Sequence, residues 1–200
     1  MNRFVWVLLL IVVGCVRAFS QDTGYPSGRQ IHMLALASNA VNRTGGNATD
    51  LGRDIEALVL NARSPKEKMD AQTILAAYWL NTKDTNDIQR AKQIARELVK
   101  SGTNSWHSDL GYVYQAAADG LLGNYSHQII SAATALRSID THRVGDETDP
   151  LLVQLMKKGK GHDVTDGLRL MLVNAYCESR RLEEAEKVAA EIHEKPLQDL

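Results

Sequence analysis

Apolar side chains return every three or four positions along most of this chain, and that rhythm constrains its fold more than any other feature. Ile31, Leu34, Ala35 and Val41 share one helical face, and Leu51, Ile55, Leu58 and Ala62 share a second. The rhythm resumes through Ile74, Leu75, Tyr78 and Trp79, then Ile88, Ala91, Ile94, Ala95 and Leu98. It appears again in Leu110, Val113 and Tyr114, in Ile129, Ala132, Ala133 and Leu136, and in two last segments over 168–178 and 182–193. No stretch alternates with a period of two over a useful length, so strands are not expected. Short breaks such as Thr44-Gly45-Gly46-Asn47, residues 81–85, Leu122-Gly123-Asn124 and Ser179-Arg180 separate neighbouring faces. Amphipathic helices joined by turns this short fold back as hairpins.

Local signals sharpen the boundaries. Ser64-Pro65-Lys66-Glu67 places Ser at N-cap, Pro at N1 and Glu at N3, which is a capping box on a preorganised first turn. Asn47, Thr49 or Asp50 can cap the helix carrying Leu51. Ser101-Gly102 closes another helix with the residue that tolerates a left-handed backbone. Residues 140–149 are polar and aperiodic and read as a loop, after which Asp149-Pro150 opens a short apolar helix that Gly159 and Gly161 end. The expected organisation is a flexible start at 21–28, hairpins at about 29–63, 65–100, 105–139 and 165–195, and an insertion at 140–164.

The first twenty residues follow a different logic. Arg3 precedes an uninterrupted apolar run from Phe4 to Val13, the pattern of a secretory signal, and the run is too short to span a bilayer core of about 30 Å. Ala18-Phe19-Ser20 puts small residues three and one places before Gln21, as signal peptidase requires, and predicts a chain released into the periplasm or outside the cell. Val12-Val13-Gly14-Cys15 resembles a lipoprotein box and would instead leave an acylated Cys15 as an anchor; its usual leucine is missing and Val13 replaces a small residue. The mature chain carries no transmembrane pattern.

Removing Arg3 and Arg17 with that segment leaves 21 basic and 24 acidic side chains, a net charge of −3, which gives nucleic acid no electrostatic reason to bind. Of the two cysteines only Cys177 remains, so no internal disulfide is available and stability must come from burial. Both phenylalanines, Phe4 and Phe19, are lost as well, leaving Leu, Ile, Val, Ala, Met and a few Tyr and Trp to build the core. An alanine-rich core of this kind suits closely apposed helices.

The hairpins resemble tetratricopeptide repeats, whose period is about 34 residues and whose first helix carries Leu, Gly and Tyr and whose second carries Ala before a closing Pro. Leu110-Gly111 and Tyr114 match the first-helix signature; Leu172, Tyr176, Ala185, Ala189 and Pro196 are similar to the pattern across both helices of the last pair. Ile74, Leu75 and Tyr78, followed by Ala91, Ala95 and Leu98, fit a third copy. Tyr78 and Tyr114 are 36 positions apart, but Tyr176 lies 62 further on, so the array is interrupted. The resemblance implies an all-α chain of antiparallel hairpins stacked as a short α-solenoid, with Tyr78 and Tyr114 in equivalent inward places. It also implies a concave groove that takes a protein or peptide partner. The groove positions, carried over from the tyrosines, are Gln72, Ala76 and Trp79, then Ser108, Tyr112 and Gln115, then Asn174 and Cys177. Trp79 and Tyr112 are the natural anchors, because aromatic side chains with a polar edge concentrate binding energy. A groove reading a C-terminal carboxylate would carry Lys four places before Asn174, where Leu170 stands.

Nothing in the sequence assembles into catalytic or cofactor chemistry. The six histidines form no His-x-x-x-His pair, so a protease-type zinc site is not expected. Asp140, Asp146, Glu147 and Asp149 lack calcium-loop spacing and read as a solvated acidic loop. Lys157-Lys158-Gly159-Lys160-Gly161 lacks the phosphate-loop order and reads as a helix C-terminus. A small enzyme built on 140–166 would depend on Asp146, Asp149 and His162. Cys177 beside Tyr176 is expected to be buried. Asn42, Asn47 and Asn124 head glycosylation sequons, each in an expected loop.

Overall fold

The computed structural model describes residues 48–101, 105–142 and 162–192. Among them are seven helices and no strand: α1 (Ala48–Leu60), α2 (Pro65–Thr82), α3 (Thr85–Ser101), α4 (Trp106–Leu121), α5 (Tyr125–His142), α6 (His162–Glu178) and α7 (Leu182–Ala189). The segment expected to be a secretory signal, with Cys15, the helix expected at 31–41, the sequons at Asn42 and Asn47, and the apolar segment 151–156 lie outside the described residues. None of the described helices is long and apolar enough to cross a membrane.

Helix ends follow the local chemistry. The Ser64 hydroxyl accepts from Glu67 N at 3.1 Å, and Pro65 takes the first helical position of α2. The Glu67 carboxylate accepts from the backbone N–H of Arg63 at 2.6 Å, one residue before the cap. At the other end of α2, Lys83 adopts a left-handed φ of 63°, a conformation that costs a side chain but stops the helix. Asp84 then starts α3 by accepting from Asn86 N at 2.8 Å and Asp87 N at 3.1 Å. α1 already includes Thr49 and Asp50, so neither caps it; Asp50 sits in the first turn, where the helix dipole favours an acid.

Two turns share one solution. After α4, Asn124 N donates to Asp119 O at 2.8 Å and Gly123, at φ 73°, donates to Gly120 O at 3.2 Å. After α6, Arg181 N donates to Tyr176 O at 2.8 Å and Arg180, at φ 58°, donates to Cys177 O at 3.0 Å. Both are Schellman closures, the first using glycine at the left-handed residue and the second an arginine.

The core is a continuous set of side chains from α1 to α6 that includes Ile55, Leu98, Val113, Leu168 and Met171, all at most 1% exposed. Full burial of an aliphatic side chain of this size contributes about 1.5–3 kcal/mol. Each helix packs against the next along the chain, and α2 packs on α4 and α4 on α6 as well. Alanine makes the closest approaches feasible: Ala116, Ala117 and Ala118 of α4 and Ala132 and Ala135 of α5 are buried. α5 continues to His142 and α6 starts at His162, so helix reaches into both ends of the segment 140–164.

Candidate interaction surface

α4 is tied to three neighbours by polar contacts, and these fix the register of the surface under consideration. Near its start, His107 Nε2 lies 2.7 Å from Asp70 Oδ1 on α2, with the His107 ring stacked on Trp106 at 3.7 Å between centroids. Asp109 accepts a hydrogen bond from the Ser138 hydroxyl of α5. Near its end, Asp119 pairs with the Lys92 ammonium of α3. His107, Asp109 and Asp119 are all buried. Rhythm counting misses such residues because it scores them as polar; for Asp109 and Asp119 the available signal was their place on the same side of the helix as Ala116.

The His107–Asp70 contact joins the first half of α2 to the start of α4. Trp79 stands nine residues past Asp70 on α2 and Gln115 eight past His107 on α4, about 13.5 and 12 Å further along each helix at 1.5 Å per residue. The Arg90 guanidinium of α3 lies 5.6 Å from the Trp79 ring centroid and 3.8 Å from the Asp87 carboxylate. Trp79 and Tyr112 are half-buried and pack against the core with part of each ring accessible. Gln115 and Asn174 are also half-buried.

The remaining positions carried over from the repeat pattern are differently placed. Gln72 is buried and donates to Glu97 Oε2 on α3 at 2.9 Å, while Ala76 and Ser108 are buried too. Cys177 is exposed, contrary to the expectation of burial. The buried stripe of α6 runs through Leu168, Met171, Leu172 and Ala175, and a residue two places beyond Ala175 is turned about 200° from it. Tyr114 is buried, whereas Tyr78 and Tyr176 are half-buried. Tyr78 abuts Gly52 of α1, and Tyr176 lies beneath Arg181, whose guanidinium is 4.7 Å from its ring centroid. Arg181 also hydrogen-bonds Glu184 at 2.9 Å and holds that exposed carboxyl below its usual range. The contact is thus present above the ordinary carboxylate range and fades as acid protonates Glu184.

Of the residues a loop-based enzyme would use, Asp146 and Asp149 lie outside the described residues, and His162 is the first residue of α6. Asp166 is fully buried and accepts from Arg169 at 2.8 Å, an intrahelical pairing. No group of three or more His, Cys, Asp or Glu among the described residues is arranged to hold a metal ion. Asn124 is exposed in the α4–α5 turn, with its carbonyl accepting from His127 N and Gln128 N at 3.0 Å. In comparisons with known proteins, no family model, curated protein or solved structure matches the chain.

Proposed function

We propose that this is an exported helical-repeat protein that binds a protein or peptide partner through the accessible face of α2, α4 and α6, without catalysis. The observation that carries this reading is that Trp79 of α2 and Tyr112 of α4 are half-buried aromatic side chains packed on the core, with the Arg90 guanidinium over the Trp79 ring. Half-buried aromatics held by core packing keep their rotamers fixed, so a partner orders them at little entropic cost. The packing of α2 on α4 and of α4 on α6, in addition to each consecutive pair, supports a stack of hairpins α2–α3, α4–α5 and α6–α7. In that arrangement the first helices form a common face and the second helices lie behind them. The burial of Gln72, Ala76 and Ser108 concentrates the proposed contact on Trp79, Tyr112, Gln115 and Asn174.

Export rests on the segment 1–20, with release at Gln21 favoured over lipidation of Cys15. Intact mass of the exported chain is expected to correspond to a start at Gln21; a diacylated Cys15 terminus would make the protein a membrane-anchored lipoprotein. The binding reading is tested by capturing partners from the native envelope or secretome with the wild type, with Trp79→Ala plus Tyr112→Ala, and with Asp146→Ala plus His162→Ala. Truncating two interface anchors is expected to weaken a specific partner at least 30-fold, at about 1 kcal/mol or more each. Helicity by circular dichroism should be unchanged. A turnover lost only in the Asp146/His162 variant would replace binding with the enzyme reading.

A further inference from the structure

Gln128 of α5 is 0% exposed, and neither Nε2 nor Oε1 of its amide has a hydrogen-bond partner. A buried amide left unbonded costs about 1–3 kcal/mol, so its place requires a physical reason. Its neighbour is Gly120 on α4. A Cβ built on residue 120 would stand 2.8 Å from the amide carbon and 2.9 Å from Oε1, so only glycine leaves this amide its position. That glycine follows Ala116, Ala117 and Ala118 in a helix, where replacing alanine by glycine costs about 1 kcal/mol. Two locally unfavourable choices therefore meet at one point.

We propose that Gln128 and Gly120 form an internal hydration site, in which one ordered water molecule bonds both atoms of the amide beneath the α4–α5 turn. The amide presents a donor and an acceptor side by side. A cation would answer only Oε1 and an anion only Nε2, whereas water answers both. Ser131, itself buried and three residues along α5, adds a hydroxyl on the same side of the helix. A buried water commonly makes about three hydrogen bonds, of which the amide offers two. Access is short: Gln128 N donates to Asn124 O, one helical turn from the exposed Gly123 and Asn124.

The test is magnetic relaxation dispersion of water on the mature chain, wild type against Gln128→Met, together with their melting temperatures. The wild type is expected to hold one more long-lived water than the variant. Gln128→Met should melt lower by about 2–4 °C, since removing the amide also strips the water of its bonds. Equal numbers of long-lived waters, or a variant that melts higher, would overturn the proposal and make the amide a dry defect. Should Gln128→Met not fold, wild-type electron density decides. A water within about 3 Å of both amide atoms supports the site, and a dry amide ends it.

Discussion

Gly111→Ala is expected to destabilise the protein by about 1–3 kcal/mol, although alanine is the better helix former. In an open helix the exchange gains about 1 kcal/mol. Here the new Cβ would lie 2.8 Å from the backbone oxygen of Ala95 and 3.1 Å from the backbone nitrogen of Val99. Those atoms belong to the hydrogen-bonded frame of α3, so α4 must be pushed away, and overpacking of this kind typically costs about 1–3 kcal/mol net. Because α4 is tied to α2, α3 and α5, the displacement also strains its contacts with Asp70, Lys92 and Ser138. Chemical denaturation measures the change. A Gly111→Ala protein as stable as the wild type would show that α3 and α4 do not approach this closely.

The second large effect concerns Asp119, which is 2% exposed, and its partner Lys92, whose side chain is 16% exposed. The asymmetry predicts an order. Lys92→Met strands a carboxylate in the core and is expected to cost about 3–5 kcal/mol. Asp119→Leu frees an ammonium that can extend along its stem to water, so its cost should be clearly smaller. The pair Lys92→Met plus Asp119→Leu removes both charges and should recover most of the loss, since an apolar replacement of a buried ion pair is often neutral or better. Equilibrium unfolding of the three variants checks the order. Additive losses in the double variant would contradict the account, because the penalty would then reside in the substitutions and not in the stranded charge.

These two sites mark the limits of what the sequence reveals. Ser64, Pro65 and Glu67 announce α2 because capping is local chemistry, readable within four residues. Gly123 announces its turn for the same reason, whereas Arg180 performs the equivalent turn without any glycine to signal it. The apolar faces of α3 and α6 could be counted, since Ile88, Ala91, Ala95 and Leu98, or Leu168, Met171 and Ala175, follow the helical period. Which polar residues lie inside could not be counted. Asp109, Asp119 and Gln128 are buried because of what a neighbouring helix places opposite them. Gln72 and Ser108 belong to the same lesson: a pattern on one helix marks a face, but whether that face is open depends on the elements packed over it. For the proposed surface, the repeat resemblance singled out Trp79 and Tyr112, and their half-buried state depends on the helices packed beside them.

Binding through the α2–α4–α6 face is tested most directly by site-specific photo-crosslinking in the native compartment. A benzophenone amino acid is placed in turn at Gln115, at Asn174 and at Ile130 of α5, an exposed apolar position on a second helix. Crosslinks from positions 115 and 174 to the same discrete protein, and none from 130, are the predicted result. Crosslinking of that protein from position 130 alone, or no specific adduct from 115 and 174, would contradict it.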